Sequence, residues 1–489
     1  MRSGNAGDKR RSGRIDLAVD QAQKYLLNAQ YDDGYWWGEL ESNPTMEAEY
    51  ILLCHFLGHG GETLRRKLAR HILDRQRDDG TWGQYYGAPG DLSTTTECYF
   101  ALKLAGHSAE EPLLLKAREF ILAGGGVANT RVFTKIWLAL FGQWEWRGIP
   151  MLPPEIMLIP DWFPVNIYDF SSWARATFVP IMVLLDKKPV RHVPESARID
   201  ELYVGLKDDE TFSVGRPRGL IGWDRFFYTA DALIRYLDKL PWRPTREGAI
   251  KRAERWIVEH QEADGSWGGI QPPWVYSLMA LSSLGYSADH PVISRGLAGF
   301  EAFAIDDGNS MRIQACVSPL WDTCLAMVAL LDSGLPADNP SLVKAGDWFL
   351  DEQDTSGGDW QVKAKGVQPG GWAFEFHNDT YPDLDDTSEI VMALDRLALP
   401  ANGSKKQAIE RAVRWTRGMQ SKNGGWGAFD KDNSKTMIGK IPFADFGETL
   451  DPPSADVTAH IVEMLGQLGY LANDPVVARG VEYLLKEQE

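Results

Sequence analysis

The stretch Asp383-Leu384-Asp385-Asp386-Thr387 puts three carboxylates within four residues, at the start of an apolar run. One Asp and one Thr suffice to cap a helix and to place an anion at its positive end. Three are more than capping needs. Like charges this close cannot all ionise comfortably, so one proton is retained and the trio titrates as a coupled set. His460 lies four residues after Asp456, on the same face of a helix. If the two segments converge, His460 would donate a hydrogen bond to one carboxylate and orient the proton on its other oxygen. The same residues also read as Asp385-Asp386-Thr387-Ser388-Glu389, a pattern that could hold Mg²⁺ on a diphosphate. That chemistry wants a second acidic motif and a basic cluster, and neither is convincing here. No metal and no cofactor are therefore expected.

Such a constellation needs elements to position it, and self-comparison finds them. A Gln is followed by Gly four later and Trp six later at Gln30, Gln76, Gln261 and Gln420. Gln353, Gly358 and Trp360 repeat the pattern with one residue inserted. Five residues before each Gln stands Tyr25, His71, Trp256, Trp348 or Trp415. The pattern predicts a helix that carries its aromatic inward and ends near Gln. Gly then takes the left-handed conformation and Trp folds back over the helix end. The Gln amide would bond a neighbouring helix terminus. A second helix type alternates with the first at 96–106, 274–285, 322–334, 386–397 and 456–469, mostly apolar and mostly ending at Gly. The loops that follow often carry Pro, which suits a helix's first turn. Apolar helices belong inside and amphipathic ones outside. Helical hairpins of this kind close into double-walled α/α barrels. Parallel inner helices would gather Asp322, Asp383, Asp385, Asp386, Asp456 and His460 at one end of a cavity. The Pro-rich region 147–218 reads as loops with one helix near 171–186.

Composition agrees with a large globular protein. The chain has 489 residues, of which 44% are hydrophobic and 24% charged, which implies two or more domains. Its 19 tryptophans serve repeated packing, pocket lining or both. A net charge of −17 excludes nucleic acid as the main partner. The basic arm 2–14 is local and reads as a solvated tail. The four cysteines form no CxxC pair, which points to a reducing, cytosolic compartment. No segment offers 18 uncharged apolar residues, although attachment to one leaflet remains open.

Several segments together resemble the squalene–hopene cyclases: 370–374 with 378–387, Met46-Glu47-Ala48-Glu49-Tyr50, Gly269-Ile270-Gln271-Pro272-Pro273-Trp274, 317–323, and Asp451-Pro452-Pro453 with Asp456-Val457-Thr458-Ala459-His460. The Gln–Trp repeats belong to the same resemblance. It implies an all-α fold of two α/α barrels and a proton-initiated cyclisation of squalene to hopene or hopanol. Under it, Asp385 protonates a terminal double bond, Asp383 and Asp386 flank it, His460 anchors it, and Asp322 and Asp456 join the charge network. Trp173, Trp321, Phe374 and Phe429 would shield cations. Gln271 and Glu49 would manage water at termination. The implied substrate is apolar and reaches the enzyme from one leaflet of a membrane, on its cytoplasmic side. The candidate contact is the helix around 226–240, with Phe226, Phe227, Tyr228, Leu233, Ile234, Tyr236 and Leu237.

The expected organisation is a basic arm at 1–20, a barrel with the membrane-facing helix at 21–310, and the first half of the catalytic barrel at 311–489. Tyr483 and Gln488 carry the repeat spacing, and the chain stops before the next Gly and Trp. This reads as a C-terminal truncation, the second barrel being completed by a further segment or by a homodimer. The alternatives are a cyclase for another polyprenyl chain, an inactive lipid-binding paralogue, and a carbohydrate-active toroid. The apolar helix after the trio speaks against the last.

Overall fold

The structure is a computed structural model that describes residues 6–205, 212, 222–240, 242–399, 403–441 and 449–488. The parts of region 147–218 numbered 206–211 and 213–218 lie outside the described residues. Helix α1 spans Ala6–Ala29 and so begins inside the segment read as a basic arm. Then follow α2 (Thr45–Leu57), α3 (Glu62–Asp74), α4 (Leu92–Leu104), α5 (Pro112–Ala123), α6 (Val132–Leu140), α7 (Ser172–Lys187), α8 (Trp223–Asp238), α9 (Arg246–Glu259), α10 (Gln271–Ser283) and α11 (Pro291–Phe303). A short antiparallel hairpin pairs β1 (Ala304–Asp306) with β2 (Met311–Ile313). The rest is α12 (Pro319–Asp332), α13 (Pro340–Asp351), α14 (Leu384–Arg396), α15 (Ser404–Met419), α16 (Ala455–Gln467) and α17 (Pro475–Glu487). The chain is all-α, as the repeat pattern predicts.

Two compact units emerge. One takes Met1–Glu39, Val317–Asp432 and Pro452–Glu489, and the other takes Leu40–Cys316 and Asn433–Asp451. In the first unit α14 packs between α12 and α16, with α13, α15 and α17 behind them. Helix α1 serves α12, where Gln23 Nε2 donates to Ser333 O at 3.0 Å. In the second unit α10 packs on α7 and α2, and α2 packs on α4. Helices α3, α5, α9 and α11 lie behind α2, α4, α7 and α10. In the second unit the inner helices are buried nearly all round, α4 at every residue after Leu92, while α12 and α16 of the first unit keep some exposed positions. This is the inner-apolar, outer-amphipathic division read from the sequence.

The repeat works as a double clasp. Trp36, Trp82, Trp267 and Trp426 donate their ring N–H to the carbonyls of Leu26, Ile72, Ile257 and Thr416, at 2.6–2.8 Å. The Gln side chain bonds its own turn and the first turn of the next outer helix. Gln420 Nε2, for example, donates to Gly424 O at 2.8 Å and Val476 O at 2.9 Å. Gln30, Gln76 and Gln261 reach Ser341, Leu113 and Val292 in the same way. Each of these carbonyls belongs to the residue after the helix-opening Pro, so the amide meets a helix start and not an orphaned carbonyl. Gly424 has φ +98°, and a Cβ there would stand 2.4 Å from Arg479 O. A side chain would therefore break both the turn and the docking.

One repeat differs from its sequence reading. Trp360 is buried and meets Trp415 edge-on at 5.9 Å, but its ring N–H has no partner. The working partner of Gln353 is Trp372. Gln353 Nε2 donates to Gly370 O at 2.8 Å, and Trp372 Nε1 donates to Phe349 O at 2.7 Å. The insertion is thus a whole loop and not a single residue. Its own Gly and Trp imitate the motif by chance of spacing. Tyr25 also departs from the inward-aromatic reading, being 72% exposed.

Candidate active site

The repeat that contains the inserted loop delivers the acidic trio. Trp372 and Asp383 form an isolated bridge, in which Asp383 N donates to Trp372 O at 2.7 Å. Trp372 N donates to Thr387 Oγ1 at 3.0 Å, and that hydroxyl donates to Asp383 O at 2.6 Å. Leu384 N is held by Ala428 O at 2.8 Å. The start of α14 is therefore tied down on three sides before any catalytic group is placed.

The three carboxylates then take different roles. Asp383 is the N-cap, and its Oδ1 accepts from Asp385 N at 2.7 Å and Asp386 N at 3.3 Å. Asp386 turns into the core at 1% exposure, and its Oδ1 has no hydrogen-bond partner. Burial pushes its pKa well above the carboxylate range, and the neighbouring Asp383, Glu375 and Asp385 push the same way. Asp385 points away from the core to α16, where its Oδ1 meets His460 Nδ1 at 2.6 Å. The Asp385 side chain is 24% exposed and that of His460 35%. Burial acts to lower the His460 pKa. The hydrogen bond and charge of Asp385, with Glu389 and Glu463 behind it, outweigh burial and raise it above its ordinary value.

Two other expected members share no hydrogen bond with this pair among the described residues. Asp322, in the first turn of α12, accepts from Gly38 N at 2.7 Å and Ser318 Oγ at 3.1 Å. Burial raises its pKa. Asp456 is exposed at the start of α16 and bonds Val457 N at 2.9 Å. Its pKa is lowered, chiefly by the Ser454 hydroxyl. No hydrogen bond joins either residue to the trio among the described residues. Asp456 acts on His460 through charge alone. Trp321, Phe374 and Phe429 are half-buried in this unit, Trp321 packing against its core.

The remaining expected residues belong to the second unit. A cavity of about 240 Å³ is lined by Glu49, Trp173, Glu97, Arg131 and Tyr276, among others. Gln271 Nε2 donates to Glu49 Oε2 and to Met46 O, both at 3.2 Å, and its Oε1 is buried without a partner. Glu97 was not singled out from sequence. It accepts a short hydrogen bond from Thr134 Oγ1. Burial raises Glu49 to about 8 and Glu97 to about 7. The missed signal was a lone carboxylate directly after Thr94-Thr95-Thr96, within a helix whose start the sequence reading set four residues late.

Residues 19–309 match the squalene–hopene cyclase N-terminal domain, and residues 317–489 match the C-terminal domain. The chain belongs to the squalene–hopene cyclase family. It is 48% identical to a squalene–hopene cyclase of Alicyclobacillus acidocaldarius over 96% of its own length and 74% of that protein. It is 40% identical to a dammaradiene synthase of the fern Dryopteris crassirhizoma, over 99% and 72%. To a squalene–hopene cyclase of Zymomonas mobilis it is 39% identical, over 98% and 74%. The cyclase family thus accounts for both units, and the geometry singles out the 2.6 Å contact between Asp385 and His460 at the start of α14.

Proposed function

We propose that the chain is a triterpene cyclase that folds squalene into hopene or hopanol, with Asp385 as the proton donor. The observation that carries this reading is the 2.6 Å contact between Asp385 Oδ1 and His460 Nδ1 at the start of an apolar inner helix. An alkene is a very weak base, so its protonation needs a strong acid. A cationic imidazole beside the carboxyl favours the carboxylate left behind and so strengthens the acid. The proton on the other Asp385 oxygen adds to the less substituted carbon of the terminal double bond, which leaves a tertiary cation on the other. The double bonds then attack in turn, each forming a C–C bond and passing the cation onward. The last cation loses a proton to give the alkene or takes up water to give the alcohol. Aromatic faces at Trp173, Trp321, Phe374 and Phe429 would stabilise cations without bonding to them. Hydrocarbon burial at about 0.8 kcal/mol per CH₂ is enough to bind such a chain without polar anchors.

Its substrate is a membrane lipid, and α8 supplies the means of reaching it. Among the described residues no helix is long and apolar enough to cross a membrane. Phe226, Leu233, Tyr236 and Leu237 of α8 are nevertheless about half or more exposed, and Trp242 just after it is 79% exposed. An amphipathic helix of this kind suits insertion into one leaflet. The four cysteines are free thiols, in keeping with the cytoplasmic face.

The test is incubation with detergent-dispersed squalene and gas chromatography of the products. The unsubstituted chain is expected to yield pentacyclic products, and Asp385→Asn to lose at least about a thousandfold while unfolding at the same temperature. Product formation undiminished in Asp385→Asn would overturn the assignment of the acid. For the membrane contact, flotation with liposomes is expected to drop when Leu233 and Leu237 become Glu.

A further inference from the structure

Glu389 stands one turn beyond Asp385 on α14 and faces the same imidazole. Its Oε1 lies 3.8 Å from His460 Nδ1, the nitrogen already bonded to Asp385. The Glu389 side chain is only 14% exposed, so the pair is partly shielded from solvent. The charged surroundings are few. On α14 there are Asp385 and Glu389, and on α16 there are Glu463, one turn beyond His460, and Asp456, one turn before it. From α12 the buried Cys324 thiol sits within the influence of Asp386, Glu389 and Asp385. Asp385 and Glu389 pair with no lysine or arginine among the described residues. His460 is the base on which these carboxylates converge.

The chemistry sets a problem at this point. Asp385 must be neutral until it gives up its proton. A neutral Asp385 no longer holds a charge on His460, while burial drives the imidazole toward its neutral form. Without a second carboxylate, the imidazolium would be lost just when it is needed to strengthen the acid. We propose that Glu389 is a positioning residue that keeps His460 doubly protonated and aimed at Asp385 while Asp385 is uncharged, an inference that rests on the cyclase reading above. The coupling runs in the helpful direction. Burial raises the Glu389 pKa and His460 lowers it, while the Asp385 charge is a further raising influence. Neutralising Asp385 removes that last influence and favours the Glu389 carboxylate. Once the proton has left, the Asp385 carboxylate takes the short hydrogen bond and Glu389 becomes the distant partner again.

The test separates Glu389 from the reaction itself. Asp385→Asn removes the acid's charge, and ¹⁵N-histidine NMR then follows the His460 titration, assigned by its loss in His460→Gln. Adding Glu389→Gln to Asp385→Asn is expected to lower the His460 pKa by about one unit. An unchanged titration overturns the proposal. In the otherwise native chain, Glu389→Gln is expected to lower kcat with squalene, leave KM alone and move the alkaline limb of the pH profile down by about one unit. Glu389→Asp should restore part of that shift. A change in KM with an unmoved alkaline limb counts against the proposal. Failure of the cyclase reading would show instead as no product from the unsubstituted chain, whereas the NMR titration reads Glu389 either way.

Discussion

Carboxylates on the inner helices of the two units meet opposite treatment. At the start of α14, Asp385 is given an imidazole partner, His460, at 2.6 Å. On α2 and α4, Glu49 and Glu97 are given neutral donors, the Gln271 amide and the Thr134 hydroxyl. Arg131 lies nearby but forms its ion pair with Asp91. Burial therefore wins at the second place, pushing Glu49 to about 8 and Glu97 to about 7. A neutral carboxyl both donates and accepts hydrogen bonds, which suits the holding of water. One scaffold thus sets its carboxylates among different neighbours, an imidazole in one unit and neutral amide and hydroxyl donors in the other.

The sharpest way to break this contrast is to remove that neighbour. His460→Gln should lower the rate of squalene consumption by about a hundredfold, while Glu97→Gln should change it by less than about threefold and alter the alkene-to-alcohol ratio. Equal losses in the two variants would dissolve the distinction. A smaller effect compares the supports of the two carboxylate sets. Thr387→Val and Thr95→Val each remove the hydroxyl that accepts from a repeat Trp backbone N–H. Each should cost about 1–3 kcal/mol in urea unfolding. The Thr387 variant should also slow turnover, because the same hydroxyl bonds Asp383.

The smallest effect lies in how stability responds to pH. Glu47 is buried too, and burial raises it to about 8 from an ordinary 4.5. Between those values the folded chain holds a proton that the unfolded chain has released, so stability falls as pH rises through this window. Glu49 and Glu97 act in the same sense. So does His460, whose contribution is present at low pH and is lost as pH rises through its raised value. Thermal unfolding from pH 5 to pH 9 should show a declining melting temperature, and Glu47→Gln should flatten it. A curve that rises over that range would refute the assignment of neutral buried carboxyls.

Much of this was legible in the sequence because the repeat is local. Gln, Gly and Trp fall within seven residues, and the geometry they impose is set by one turn. The trio was equally plain, whereas the approach of His460, 75 residues away, was expected only if two segments converged. What the sequence hid depends on distance along the chain. That 1–39 packs with 317–432 while 433–451 packs with 40–316 has no local mark. The division of labour among Asp383, Asp385 and Asp386 was hidden too, since it follows from which way each side chain leaves a capped helix end. Trp360 shows the opposite hazard, since a local pattern was present where its hydrogen bond was not.

The loop between Gln353 and Gly370 has one more implication. Gln353 and Trp372 clasp their neighbours as the compact repeats do, although far more chain separates them. The motif is therefore a pair of anchors and not a fixed-length turn, so residues can be gained between its two halves without loosening the wall. In this repeat the second anchor is also the strand partner of Asp383. Growth of that loop places new side chains directly upstream of the carboxylate trio while the anchors that hold the trio in place stay put.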